Sequence, residues 1–236
     1  MELPTFTTKQ IPSFQDFMHE LKFNQLIHSL TLYRGQEDAN WTLNPRIARD
    51  VPKNVVLKEE ADLIKEFKRL GRSMLTQDVL SNEWDLLAFA QHHGLKTRLL
   101  DWTTNPLIAA WFAFEKEVNV EERAIWVLQL DERDIADTSY GSPFKKKRTM
   151  AYKPNHVTQR ITAQSGWFTT HTFNTESDSF IALEDNVSYN GKLEKLVFDN
   201  ALRVEITSTL SIFGINALSV FPDLNGLTKY LNQRNM

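Results

Sequence analysis

Residues 84–115 read WDLLAFAQHHGLKTRLLDWTTNPLIAAWFAFE, and they decide more of the fold than any other stretch. Two strongly apolar segments enclose Gln91, His92, His93, Thr97, Arg98, Asp101, Trp102, Thr103, Thr104 and Asn105. A core has no use for so many polar groups, because each costs free energy when buried without a partner. A polar pocket between two helices does. The first segment is expected to be a helix over 82–93, with Gly94 as the residue that turns the chain out of it. The second is expected to start at Pro106, where a missing N–H costs nothing, with Asn105 as its cap, and to run to about 116. A short strand is expected over 96–100. Trp84, Leu87, Leu107, Ala110, Trp111 and Phe114 form the apolar stripes of the two helices and should be buried.

Outward from this stretch the chain alternates less regularly. Ser13, with Asp16 three residues on, starts a helix carrying Phe14, Phe17, Met18 and Leu21 on one face. Residues 31–34 read as a strand ended by Gly35, and 41–50 as irregular, since Pro45 and Pro52 break helices. A helix is expected over 57–75, with Leu57, Ala61, Ile64, Phe67 and Leu70 on its stripe and Glu59 and Glu60 near its positive end. Residues 124–130 have the pattern of a buried strand, and 140–155 are loop-like and basic. Strands follow at 166–171, 180–183, 193–198 and 202–206, then a short helix over 207–213 and a last helix after Pro222. Helices dominate the first half and strands the second, without strict βαβ alternation. The fold class is therefore α+β, a single domain over 1–236.

Composition excludes several functions. The 236 residues are 42% hydrophobic and 24% charged, ordinary for a globular chain, and the net charge of -3 gives no global attraction to nucleic acid or anionic lipid. With no cysteine there is no disulfide, thiolate metal site or cysteine nucleophile, which suits a reducing cytoplasm. No apolar run approaches the roughly 20 residues that cross a bilayer, and residues 1–11 lack the basic-then-apolar pattern of a signal peptide. The expectation is a soluble cytoplasmic protein with no membrane partner. No HExxH, Walker A, GxGxxG or GxSxG pattern occurs, so no metal is expected and the common ATPase, Rossmann and serine hydrolase readings fall away.

Several motifs carry both a structural and a functional reading. In Tyr33-Arg34-Gly35, glycine permits a turn or the close approach of a ligand, and the arginine offers a fork to phosphate or carboxylate. Arg98 and Asp101 have the spacing for a local ion pair. Functionally, Thr97, Asp101, Thr103 and Thr104 line a pocket floor below Asn105, at a helix N-terminus whose N–H groups suit an anion. His93 is a candidate hydrogen-bond donor to a ligand. The basic run at 145–148 is either a solvated loop or a seat for nucleic acid. Asp223 follows a proline and suits an N-cap.

Taken together, these segments resemble the FRG domain family, whose aromatic-Arg-Gly motif is here Tyr33-Arg34-Gly35. QHHGLKTRLLDWTTNPLIAAWFA resembles the family's second block. Arg160, Gln164, Gly166 and Phe168 resemble a third, and residues 222–227 a fourth, with Asn225 where the family carries an acidic residue. The resemblance covers about 32–231.

The layout is also similar to an ADP-ribosyltransferase, which implies helices packed on a split mixed or antiparallel sheet that clamps NAD as substrate. It implies Tyr33, Arg34, Gly35, Gln91, His93, Thr97, Arg98, Thr103, Gln164 and Phe168 as NAD-binding residues. Arg34 would hold phosphate or ribose, and Asp101, Glu205 or Asp223 would supply the catalytic carboxylate. Asp101 is preferred because it sits amid the densest polar cluster. Such an enzyme would transfer ADP-ribose to an unknown macromolecular acceptor, as a bacterial or phage toxin or defence effector. The alternative is a non-catalytic module binding a nucleotide or nucleic acid through Arg34, Arg98 and the basic run. A metal-dependent phosphodiesterase using Asp101 and Asp223 ranks last.

Overall fold

A computed structural model describes residues 5–24, 30–155 and 158–234; the first four residues of the stretch 1–11 read above lie outside it. The strands are β1 (Thr7–Gln10), β2 (Leu30–Gln36), β3 (Leu99–Thr103), β4 (Glu122–Leu130), β5 (Met150–Tyr152), β6 (Gly166–Thr170), β7 (Phe173–Asn174), β8 (Ser179–Phe180) and β9 (Leu193–Asp199). The helices are α1 (Phe14–Asn24), α2 (Arg46–Asp50), α3 (Val56–Leu70), α4 (Gln77–Ser81), α5 (Glu83–His92), α6 (Pro106–Phe114), α7 (Gln159–Ala163), α8 (Arg203–Ile212), α9 (Ala217–Val220) and α10 (Leu224–Arg234). The fold is α+β. Seven strands form one mixed sheet in the order β1-β9-β4-β2-β3-β6-β5, while β7 and β8 form a small separate ribbon. Only β1 runs parallel to its neighbour; the other pairings are antiparallel.

The sheet is not evenly joined. β2 registers with β4 from Leu30 to Gln36, and β3 with β6 from Leu99 to Thr103. Between β2 and β3 the register is the single pair Tyr33–Thr103. The sheet therefore opens along one seam, and the two strands on either side present backbone and side chains to a gap.

Helix α6 lies across this seam. Its sequence PLIAAWFAF is apolar all round, as a helix buried on all sides must be. Asn105 accepts from the Leu107 N–H, as the sequence predicts, and the helix stops at Phe114. Arg123, fully buried, satisfies its C-terminal end by donating to the Ala113 and Lys116 carbonyls. Gly35 makes the crossing possible. Its backbone is extended, and a Cβ there would lie 2.0 Å from the Ala109 carbonyl oxygen and 2.7 Å from the Ala113 nitrogen. The motif glycine neither ends the strand nor turns the chain. It admits a helix whose own contact residues are alanines.

Phe14, Phe17 and Leu21 of α1 join Tyr33, Trp111, Phe114 and Phe198 in one cluster around α6, as the helical spacing predicts. A second cluster packs α3, α4 and α5 against Tyr152 and Phe168, and a third joins Leu32, Leu100, Trp102, Trp126 and Leu128. Trp84, Leu87, Ala110, Trp111 and Phe114 are buried as expected, and Leu107 is half-buried.

Some expectations fail for identifiable reasons. Residues 202–206 are not a strand: Asp199 caps a short 3-10 turn that leads directly into α8. The β-branched residues Val204 and Ile206 had suggested a strand, but only Ile206 is buried, at helical spacing with Leu210. Helix α3 ends at Gly71, short of 75, and its buried face is Val56, Glu60 and Ile64, leaving Leu57 and Leu70 exposed. The segment 41–50 contains α2, with Pro45 just before it. The strand expected at 96–100 is β3, three residues later, and β5 lies within the basic loop.

Candidate functional site

The polar segment converges on the seam. Arg34 leaves β2 and donates through Nη1 to Asp101 twice, to Oδ2 at 2.7 Å and to the carbonyl oxygen at 2.8 Å. The carbonyl bond replaces a ladder contact that β2 and β3 do not make. On the other side of Asp101, Gln91 of α5 donates to Oδ1 at 3.4 Å. Asp101 is thus held from both sides although its side chain is 63% exposed.

Two cavities meet at this carboxylate. The first, about 180 Å³, is lined by Tyr33, Arg34, Gly35, Glu37, Trp41 and Thr103, among others. The second, about 190 Å³, is lined by Gln91, His92, Arg160, Gly166, Phe168 and Phe221, among others. Asp101, Trp102, Phe112 and Gln164 belong to both walls. Neither volume alone reaches the roughly 300–1,000 Å³ of a typical small-molecule site, so a ligand of that size must span the pair.

Two polar atoms lie buried on residues of the first cavity's wall. The Tyr33 hydroxyl and the Arg34 Nε are buried with no partner. Burial also pushes the Tyr33 phenol up to about 12, so it stays protonated at neutral pH. In the second cavity, His92 is pushed down to about 4, first by burial and then by His93 and Arg160, so its imidazole is neutral at neutral pH. Arg160 donates to Asp223 at 2.5 Å and lies over the Phe221 ring at 4.8 Å from its centroid. Asp223 also accepts from the Gly226 N–H, which caps α10. That backbone bond, with Arg160 beside it, holds the Asp223 carboxyl below its usual range.

Arg34, Gln91, Asp101 and Gln164 therefore line one cleft, together with Tyr33, Gly35, Thr103 and Phe168. Thr97 is fully buried behind Gln91 and donates to its Oε1. Arg98 is elsewhere. It does not pair with Asp101. It is buried against Glu60, which accepts from Nε at 3.0 Å and Nη2 at 2.5 Å, and its guanidinium lies between the Phe144 and Phe180 rings. Glu60, read from sequence as a helix-dipole charge, is this buried partner. His93 is exposed and stacks on Phe89, and His92 takes the cavity position. Glu205 is exposed on α8 and lines neither cavity.

The N-terminus of α6 is also not open to an anion. Pro106 has no N–H, Asn105 takes that of Leu107, and Thr103 accepts from Asn105. Thr103 in turn donates to the Gln164 carbonyl at 2.6 Å, which ties the third sequence block to the second. The basic run is committed in part to the fold, since Arg148 pairs with Asp134 and Lys146 lies over Trp84.

Glu37, Trp41, His92 and Phe112 line the cleft without having been singled out as site residues. Glu37 and Trp41 follow the Arg-Gly motif by two and six residues, and that proximity is the one signal that points to them. Among the described residues no group of three or more His, Asp or Glu side chains is placed to hold a metal ion. Likewise none of the described helices is long and apolar enough to cross a membrane.

The class these features define is an α+β domain with a polar cleft at a seam in its sheet. Residues 29–122 match the family model of the FRG domain, a stretch that runs from β2 to the start of β4 and contains Arg34 and Asp101. The third and fourth blocks lie beyond the matched residues. No curated protein and no solved structure matches the chain.

Proposed function

We propose that the cleft binds NAD and that the protein is an ADP-ribosyltransferase-like enzyme. The observation that carries this reading is the meeting of Arg34 and Asp101 at the seam, where the two cavities share the Asp101 carboxylate as a wall. Arg34 provides the fixed positive charge for a pyrophosphate. The aromatic side chains of the second cavity, Trp102, Phe112, Phe168 and Phe221, suit a planar ring.

In the reaction the bond between ribose C1′ and nicotinamide nitrogen breaks, and nicotinamide leaves with the electron pair. The Asp101 carboxylate faces the positive charge that develops on the ribose, where a fixed negative group lowers the barrier most. A nucleophile of the acceptor then bonds to C1′ and releases its proton. Asp223 and Glu205 line neither cavity, whereas Asp101 lies in the wall of both, so Asp101 carries the role. A cytoplasmic toxin or defence effector is the setting in which such an activity acts on a macromolecular acceptor.

The engagement of both Asp101 oxygens favours one second reading, a non-catalytic nucleotide-binding module in which Asp101 serves only to aim Arg34. Calorimetric titration with NAD and ADP-ribose tests what the two readings share. Both ligands should bind the wild type, and Arg34→Ala should weaken each by roughly tenfold or more, as loss of a charged hydrogen bond implies. Absence of binding to the wild type would sink both.

A further inference from the structure

Behind Asp101 lies a short chain of hydrogen bonds with a defined direction. The Leu99 N–H donates to the Thr97 Oγ1 at 3.1 Å. That bond occupies an acceptor position on the hydroxyl and leaves its hydrogen for Gln91, whose Oε1 accepts it. The amide of Gln91 has two ends of similar shape, and only its bonding decides which faces where. With the oxygen committed to Thr97, the NH₂ must face Asp101, and it donates to Oδ1 at 3.4 Å. Arg34 takes Oδ2 from the opposite cavity. A largely exposed carboxylate, which would otherwise rotate freely, is thereby fixed at both oxygens.

We propose that Gln91 and Thr97 are positioning residues that hold the Asp101 carboxylate in the wall shared by the two cavities, Thr97 acting through Gln91. The proposal rests on the reading of Asp101 as the carboxylate that acts on the ligand. It separates Gln91 from the ligand-binding role that its place in the sequence suggests. Thr97 is fully buried and lines neither cavity, so its hydroxyl reaches the cleft only through its partners, the Gln91 amide and the Leu99 N–H of β3.

The test uses the full chain and two readouts. In NMR spectra the Gln91 side-chain amide signals, assigned by their loss in Gln91→Leu, should shift in Asp101→Asn. They should shift or broaden in Thr97→Val, which keeps the shape and removes the hydroxyl, and Thr97→Ser should restore them. In nicotinamide release from NAD, Gln91→Leu and Thr97→Val should lower kcat on the order of tenfold with KM changed less than twofold, and Thr97→Ser should recover kcat. Amide signals indifferent to both Thr97→Val and Asp101→Asn would overturn the proposal, as would an unchanged kcat in an active enzyme. A wild type that releases no nicotinamide would instead remove the enzyme reading, while the amide signals would still decide whether the chain of bonds exists.

Discussion

Arg34 on β2 and Asp101 on β3 meet where the two strands have stopped pairing, with Nη1 2.7 Å from Oδ2 and 2.8 Å from the Asp101 carbonyl oxygen. One arginine thus closes the seam in the sheet and stands beside the carboxylate that the seam exposes. A residue with both duties ties structure to ligand, because an anion that draws Arg34 away also releases Asp101.

The glycine after that arginine is required by packing. Gly35→Ala places a methyl against the backbone of α6 at Ala109 and Ala113, neither of which is the end of a flexible side chain. The helix must shift, and overpacking of this kind costs about 1–3 kcal/mol or more. Urea denaturation should show the midpoint fall accordingly.

The Arg98–Glu60 pair predicts a non-additive result. Arg98→Met or Glu60→Leu alone leaves a buried charge without its partner and should cost about 3–5 kcal/mol. Glu60→Leu combined with Arg98→Met should recover a large part of that loss, since neither charge remains. The comparison is a double-mutant cycle of denaturation midpoints. NAD affinity of the folded Arg98→Met protein should match the wild type, because Arg98 lies outside both cavities.

Acid stability should depend on His171. Trp102 Nε1 lies 3.1 Å from the Thr169 Oγ1, which lies 3.2 Å from His171 Nε2, while Nδ1 faces the Ile181 carbonyl at 3.2 Å. A neutral ring protonated at Nδ1 lets the Thr169 hydroxyl accept from Trp102 and donate to Nε2, so that every donor in the chain is used. Burial pushes His171 down from an ordinary 6.5 to about 4. Between those values the unfolded chain binds a proton that the native one does not. Stability is therefore lost as pH falls from about 6.5 toward 4, by at most about 1.4 kcal/mol per pH unit from this group, and levels off below. His171→Asn should flatten the profile over that window; an unchanged slope would show that the ring is charged in the native state.

Much of this was legible in sequence where local chemistry governs. Asn105 and Pro106 start α6, Gly94 follows α5 with positive φ, and the apolar stripes of α1 and α6 are buried. The resemblance to the family's blocks implies a shared cleft for Arg34, Gln91, Thr97, Arg98, Asp101 and Gln164; Arg34, Gln91, Asp101 and Gln164 line the two adjoining cavities, Thr97 lies behind Gln91, and Arg98 is elsewhere. What was not legible depends on distant partners. Nothing near Arg98 announces Glu60, 38 residues earlier, as its mate. Val204 and Ile206 have strand propensity, but they lie in α8, where Ile206 and Leu210 are buried in the core cluster and Val204 is exposed. His92 and His93 are equivalent in sequence, and the direction of α5 alone sends one to the cavity and the other to solvent.

Two carboxylates in the family-like blocks should separate on substitution. Asp101→Asn should abolish nicotinamide release while NAD still binds, because its charge is needed only as the bond breaks. Asp223→Asn should retain turnover in the folded protein and lower the melting midpoint, since it loses the charged partner of Arg160 and weakens the cap of α10. The reverse pattern would move the catalytic role to Asp223.

Nicotinamide release by the purified full chain incubated with NAD, with and without cell extract as a source of acceptor, tests the seam as an NAD site most directly. The wild type should release nicotinamide, and Arg34→Ala and Asp101→Asn should not. A wild type that neither binds NAD nor releases nicotinamide under either condition would contradict the assignment of the seam between β2 and β3 as an NAD site.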